Sequence, residues 1–223
     1  MNSWASEVIA EPRDMQKTVD ESIIDGVMSG LIRQNDTAEE RFVPKLISNQ
    51  PGSTMGDAIR EELKGSESFD ISVAFVSENA LKSMYQAFVD HAKKSGKRNR
   101  IITSTKNYFN SPKAFKELMK LQRDANVEVL IWEHGDSGES GGTIAQDQPF
   151  HPKGYLFTRR MEEGRAYYNL YVGSSNLTSF ALQNQREWNL RVSSTSEAQL
   201  IQQVKEELAD QVRQSVPLTD EWL

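Results

Sequence analysis

The sequence predicts an α/β domain, and three observations carry that expectation. From residue 69 onward, short β-rich apolar runs alternate with longer runs of helical periodicity, the pattern of strands laid side by side with helices packed on them. The helical runs begin and end on strong signals, such as Ser111-Pro112 at one start and Gly96 at one stop. The composition, 37% apolar and 26% charged over 223 residues, is that of a globular chain with a real core.

The elements come in this order. Residues 1–17 mix charge, Pro12 and small residues, and carry no periodic signal. The run "TVDESIIDGVMSGLIRQ" sets Ile23, Ile24, Val27, Leu31 and Ile32 at helical spacing behind a cap at Thr18 or Asp20. Residues 1–40 therefore read as a helical extension, and 41–223 as the main domain. "NQPGST" is a turn, and "MGDAIREELKG" a short helix stopping at Gly65. "FDISVAFV" (69–76) is a strand. "SENALKSMYQAFVDHAKKSG" is a helix with Leu81, Met84, Tyr85 and Phe88 on one side. "RIITST" is the next strand, "SPKAFKELMKLQRD" the next helix, and "VEVLIW" (127–132) a buried strand. This alternation points to parallel pairing. The Gly, Ser and Asp-rich segment 133–149 is a long loop, either simply solvated or a lid over the residues after it. "HPKGYLFTRR" and "RAYYNLYVGSS" flank the turn "MEEG" as an antiparallel hairpin. "SNLTSFALQNQ" reads as a short helix, "REWNLRVSS" as a strand, and "SEAQLIQQVKEELADQVRQS" as a closing amphipathic helix capped at Ser196.

Composition removes several function classes. With no cysteine there is no disulfide framework and no thiolate metal site. No apolar run approaches the roughly 18 residues of a membrane span, and the N-terminus lacks the pattern of a secretory signal, so a cytoplasmic protein is expected. The formal charge of −6 argues against a non-specific nucleic-acid coat, while leaving room for a local basic site.

The chemistry gathers at "HPKGYLF". In a strand, residues two apart face one side, so His151 and Lys153 project together. An imidazole beside an ammonium suits attack on a phosphate: one supplies a nucleophile or proton acceptor, the other holds anionic oxygens. The chain carries its own control in His91 and Lys93, where the pattern is helical and the two side chains diverge. After the hairpin comes "GSSN", in which Gly173 permits close backbone approach and Ser174 and Asn176 offer hydrogen-bond donors. Glu187, in the following strand, is a carboxylate able to fix a histidine tautomer. Lys106, just past a strand end, is a candidate secondary phosphate contact. Trp132, Trp188, Tyr168 and Tyr171 are expected to serve sheet packing before base stacking. Lys113, Lys116 and Lys120 form either a basic face or a solvated one.

At these residues the sequence resembles the phospholipase D superfamily, whose signature is His-x-Lys, a four-residue gap and Asp, then Gly-Ser-x-Asn and a downstream acidic residue. His151, Lys153, Gly173, Ser174, Asn176 and Glu187 match, whereas Thr158 stands at the aspartate position. Longer stretches, including "FDISVAFVSENAL" and "VGSSNLTSFAL", look like the phospholipase D-like domain at the N-terminus of certain bacterial helicases and restriction-type proteins, over roughly residues 40–223. The resemblance implies a mixed β-sheet flanked by helices on both faces. It implies a metal-independent phosphodiesterase without cofactor, acting on DNA through a phosphohistidine. His151, Lys153, Asn176 and Glu187 would be catalytic, with Lys153, Ser174, Asn176 and Lys106 on the phosphate. One motif per chain implies a homodimer with the site on its two-fold axis. This sequence has no Gly-x-x-x-x-Gly-Lys-Ser/Thr and so no motor of its own, which makes it either a fragment of such a protein, with a helicase domain in the same full-length chain, or a stand-alone relative. The competing class is a non-catalytic nucleic-acid-binding module that positions a helicase or restriction partner. A phospholipid substrate fits poorly, because no basic amphipathic helix faces a membrane.

Overall fold

The computed structural model describes residues 40–105, 110–133, 149–162 and 164–223. The chain divides into two units, Met1–Val43 and Pro44–Leu223. The described part of the first is a 3-10 turn, Glu40–Phe42. The helix expected at 18–34 and most of the loop before His151 lie outside the described residues.

The second unit is a mixed sheet with helices on both faces. In chain order it runs β1 (Lys45–Ile47), α1 (Met55–Gly65), β2 (Ser68–Val73), α2 (Glu78–Ser95), β3 (Asn99–Ser104), α3 (Pro112–Asp124) and β4 (Val127–Trp132). There follow β5 (Lys153–Arg160), β6 (Ala166–Gly173), a single π-helical turn (Phe180–Asn184), β7 (Asn189–Thr195), α4 (Gln199–Gln214) and β8 (Val216–Pro217). The spatial order is β1-β7-β6-β5-β2-β3-β4-β8. Only β2-β3 and β3-β4 pair in parallel, through the helical crossovers α2 and α3; the other neighbours are antiparallel. The expected parallel layer is thus confined to three strands, and the hairpin β5-β6 joins it to an antiparallel half.

Period-two alternation sorts the strand residues between two cores. Phe69, Ile71, Tyr155, Phe157 and Tyr171 face α1, α2 and α3, which contribute Ile59, Leu63, Met84, Phe88 and Leu118. Ile102, Leu130, Leu156 and Leu170 face α4, through its Ile201 and Leu208. The helix starts follow their caps: Thr54, Ser77 and Ser111 each accept from a backbone N–H of the first turn. Gly96 closes α2 in the left-handed region at φ 56°.

Several sequence expectations are corrected. The strand read as 69–76 ends at Val73, because the next three residues turn across the sheet end and bond to other segments. The closing helix starts at Gln199 without a side-chain cap, and the Ser196 hydroxyl donates to Glu197 instead. Glu187 precedes β7 rather than lying within it.

Candidate active site

Four strand ends converge. β2 ends at Val73 opposite Lys153, the first residue of β5, and β6 ends at Gly173 opposite Asn189, the first of β7. Gly154 pairs with Val172 between them. The hairpin therefore returns "GSSN" to the side of "HPK" by register alone. His151 is exposed and Lys153 half-buried. Pro152, which has no N–H to give, accepts from the Ala74 N–H at 3.0 Å and ties the approach of β5 to the end of β2.

Lys153 Nζ lies 2.8 Å from Nδ1 and 3.3 Å from Nε2 of the His151 ring, and donates to the His151 carbonyl at 3.2 Å. The two side chains lie together although β5 begins only at Lys153, so His151 precedes the strand that the sequence reading placed it in. The Ser174 hydroxyl donates to the Glu187 carboxylate and accepts from the Trp188 N–H at 3.1 Å. In return the Ser174 N–H donates to the Trp188 carbonyl at 3.1 Å. Gly173 makes this seam possible: a Cβ there would lie 2.1 Å from Trp188 O and 2.6 Å from Asn189 Cα. Asn176 accepts from the Phe75 N–H through Oδ1 at 3.2 Å, which fixes the amide's orientation and leaves its Nδ2 donors for another acceptor. Below the site, Asn189 is buried and holds Ser175 twice, by Oδ1 to its N–H and by Nδ2 to its hydroxyl.

The electrostatics are those of a partly desolvated cation. Burial lowers the pKa of Lys153, and the charge of Glu187 opposes that shift. Burial, with Glu187 adding to it, pushes the Tyr155 phenol upward, so that hydroxyl stays protonated; it donates to Ser175 O at 2.9 Å.

The remaining candidates fall out separately. Lys106 lies outside the described residues. Thr158 sits toward the far end of β5, paired with Tyr168 and Ser68; five residues beyond Lys153, at about 3.3 Å each, it is remote from the histidine. His91 is buried, its ring nitrogens 3.0 Å from Leu63 O and Asn99 Oδ1, and so serves the core. Of the α3 lysines, Lys120 pairs with Glu117 at 2.7 Å. Trp132 and Tyr171 are core residues, but Trp188 is 71% exposed, contrary to the packing role expected of it. Two residues without a sequence signal, Phe75 and Asn110, border the site: the Phe75 ring meets the His151 ring edge-on at 5.6 Å. Phe75 is hidden in an apolar run and Asn110 in a turn-like one. Among the described residues, no group of three or more His, Asp or Glu is placed to hold a metal ion, and no helix is long and apolar enough to cross a membrane.

Comparison with known proteins leads in the same direction. A family model described as "Cardiolipin synthase, PLD-like domain" matches residues 59–211. Among solved structures, NucT from Helicobacter pylori superposes with a TM-score of 0.54 at 16% identity, covering 78% of this chain and 98% of its own. The phospholipase D family member Nuc from Salmonella typhimurium gives a TM-score of 0.51 at 16% identity, covering 78% and 96%. No curated protein is similar at the sequence level.

Proposed function

We propose, for a chain that belongs to the phospholipase D-like domain family, the function of a phosphodiesterase acting on nucleic acid, with DNA as the substrate. The observation that carries this reading is the juxtaposition of the His151 ring and the Lys153 ammonium, 2.8 Å apart, at the strand end where Asn176, Ser174 and Glu187 also meet. One of the two named structural neighbours is described as a phospholipase D family member, which agrees with a phosphodiester substrate.

His151 attacks phosphorus, a P–N bond forms, and the P–O bond to the leaving group breaks. Lys153 and Asn176 hold the non-bridging oxygens as charge accumulates on them. The departing oxygen needs a proton, and this set supplies one imidazole. We assign the proton donor to the His151 of a second copy across a two-fold axis. That histidine then takes a proton from water, which attacks phosphorus and releases His151. The sheet offers a surface for such pairing. Leu46, Leu190 and Val172 are cross-strand neighbours in one row beside the site, and they are 57%, 48% and 53% exposed. The chemistry runs on lysine and amide charge, without metal. A helicase or restriction partner would deliver the DNA.

The test is cleavage of labelled DNA in excess EDTA by the chain and by His151→Ala. Cleavage that survives EDTA and disappears in the variant supports the reading; binding without cleavage by either sinks it. One observation favours a second reading, a binding module without catalysis: the net charge of −6 supplies little steering for DNA. In that case both proteins bind and neither cuts.

A further inference from the structure

We infer that Phe75 is a positioning residue for the His151 imidazole, held in place by a clasp built around Asn110. The inference rests on the proposed role of His151 and adds how the ring is aimed. Residues 74–76 leave the end of β2, and three successive backbone N–H groups go to three different segments. Ala74 donates to Pro152 O at 3.0 Å, Phe75 to Asn176 Oδ1 at 3.2 Å, and Val76 to Asn110 Oδ1 at 2.7 Å. The carbonyls are taken as well. Ala74 O accepts from the Thr103 and Ser104 hydroxyls and from Asn110 Nδ2, each at 3.2 Å, and Phe75 O accepts from the Leu177 N–H at 3.0 Å.

Asn110 is the centre of this clasp. It is 6% exposed, and besides its bonds to Ala74 and Val76 its Nδ2 donates to Thr103 Oγ1 at 3.1 Å and Ser104 O at 2.6 Å. A buried amide satisfied on both sides fixes the backbone it grips. Asn110 grips Ala74 and Val76, the residues on either side of Phe75, and Phe75 touches the site twice. Its N–H orients the Asn176 amide, and its ring stands edge-on to His151, with centroids 5.6 Å apart at 78°. One residue thereby couples the direction of the nucleophile to the direction of a phosphate-binding amide. The ring contact narrows the rotamers open to the exposed His151 side chain, and a rotamer change spoils the alignment that in-line attack requires.

Edge-to-face aromatic pairs contribute about 0.5–1.5 kcal/mol, which converts to a loss of about 2- to 10-fold in rate when the ring is removed. The test compares Phe75→Leu with Phe75→Tyr, which keeps the ring, and reads two signals. In full-length protein labelled with 15N, the His151 imidazole resonance is assigned by its loss in His151→Ala. It is expected to broaden or split in Phe75→Leu and to stay single in Phe75→Tyr. In cleavage assays, kcat is expected to fall in Phe75→Leu with KM little changed, and to recover in Phe75→Tyr. An unchanged His151 resonance in Phe75→Leu overturns the inference, as does a Phe75→Tyr variant perturbed as much as Phe75→Leu. If Phe75→Leu does not fold, Phe75→Met carries the same readout. The resonance reports on the ring whether or not the chain cleaves DNA, so absent activity would count against the proposed function and leave this inference to its own result.

Discussion

Replacing Gly173 by alanine probes the seam on which the site is hung. Gly173 does not need a left-handed backbone, so the effect of a methyl group there is steric. Its Cβ would lie 2.1 Å from Trp188 O and 2.6 Å from both Asn189 Cα and Asn189 Oδ1, against 3.4 Å for ordinary contact. Two of those atoms are backbone, so the start of β7 must retreat by more than an ångström. That movement breaks the paired bonds between Ser174 and Trp188 and carries Glu187 away from the Ser174 hydroxyl. Overpacking of this kind costs about 1–3 kcal/mol. A displacement near 1 Å in an active site costs about 100-fold in rate. Gly154, facing Val172 one strand away, is the internal control, since a Cβ there meets nothing within 4 Å. Gly154→Ala is expected to be neutral or stabilising by up to about 1 kcal/mol. Urea denaturation and diester cleavage of both variants form the assay. A Gly173→Ala protein as stable and as active as the parent would refute the steric argument.

Four further outcomes are expected. Glu62 is buried and accepts from Arg159 Nε, Asn169 Nδ2 and Tyr171 OH, each at 2.7 Å. Glu62→Ala leaves Arg159 without its carboxylate and should cost about 3–5 kcal/mol in denaturant unfolding, whereas a loss below about 1 kcal/mol would contradict the network's role. Thr158→Asp restores the family's residue at a position remote from His151, so cleavage rates should stay within about twofold; a tenfold gain would show that the position reaches the site. Hydrogen bonds from Arg160 and then Lys97 hold the Glu67 carboxyl down from its ordinary 4.5 to about 2. A depressed carboxyl lends stability that is present above pH 4.5 and is lost as pH falls toward 2, so Glu67→Gln should flatten that part of the acid-unfolding curve. The effect should be small because solvent screens an exposed pair. Finally, His91→Ala should lower the thermal midpoint while leaving the activity of the folded fraction intact, and His151→Ala should do the reverse.

Much of the parallel half is legible in the sequence because its signals are local. Ser77 and Gly96 bracket α2, Ser111 and Pro112 open α3, and the apolar run Val127–Trp132 is β4 residue for residue. The two edge strands are not legible, since β1 has three residues and β8 two, and runs that short carry no period. Their pairing is set by β7 and β4, distant in sequence. The end of β2 is obscured for a similar reason. Ala74, Phe75 and Val76 look like a continuing strand, and bonds to distant residues, among them Pro152, Asn110 and Asn176, turn them aside. At the site, the His-x-Lys spacing marks His151 and Lys153 although His151 precedes β5, and the hairpin register returns the chain leading into Ser174 and Asn176 to the same end of the sheet. Trp188 departs from expectation because aromatic residues at strand ends usually pack, whereas here the residue precedes β7 and its side chain is exposed. Asn110 gives no signal, as a buried hydrogen-bonding hub in a turn reads like any other turn asparagine.

The most direct test of His151 as the nucleophile is to trap the covalent intermediate. Full-length protein is mixed with an end-labelled oligonucleotide in EDTA, quenched in alkali, and separated under denaturing conditions. Label retained on the protein, released by acid, mapped to the peptide bearing His151 and missing from His151→Ala is the expected result. Cleavage that proceeds with no label on the protein, or with label on a residue other than His151, would contradict it.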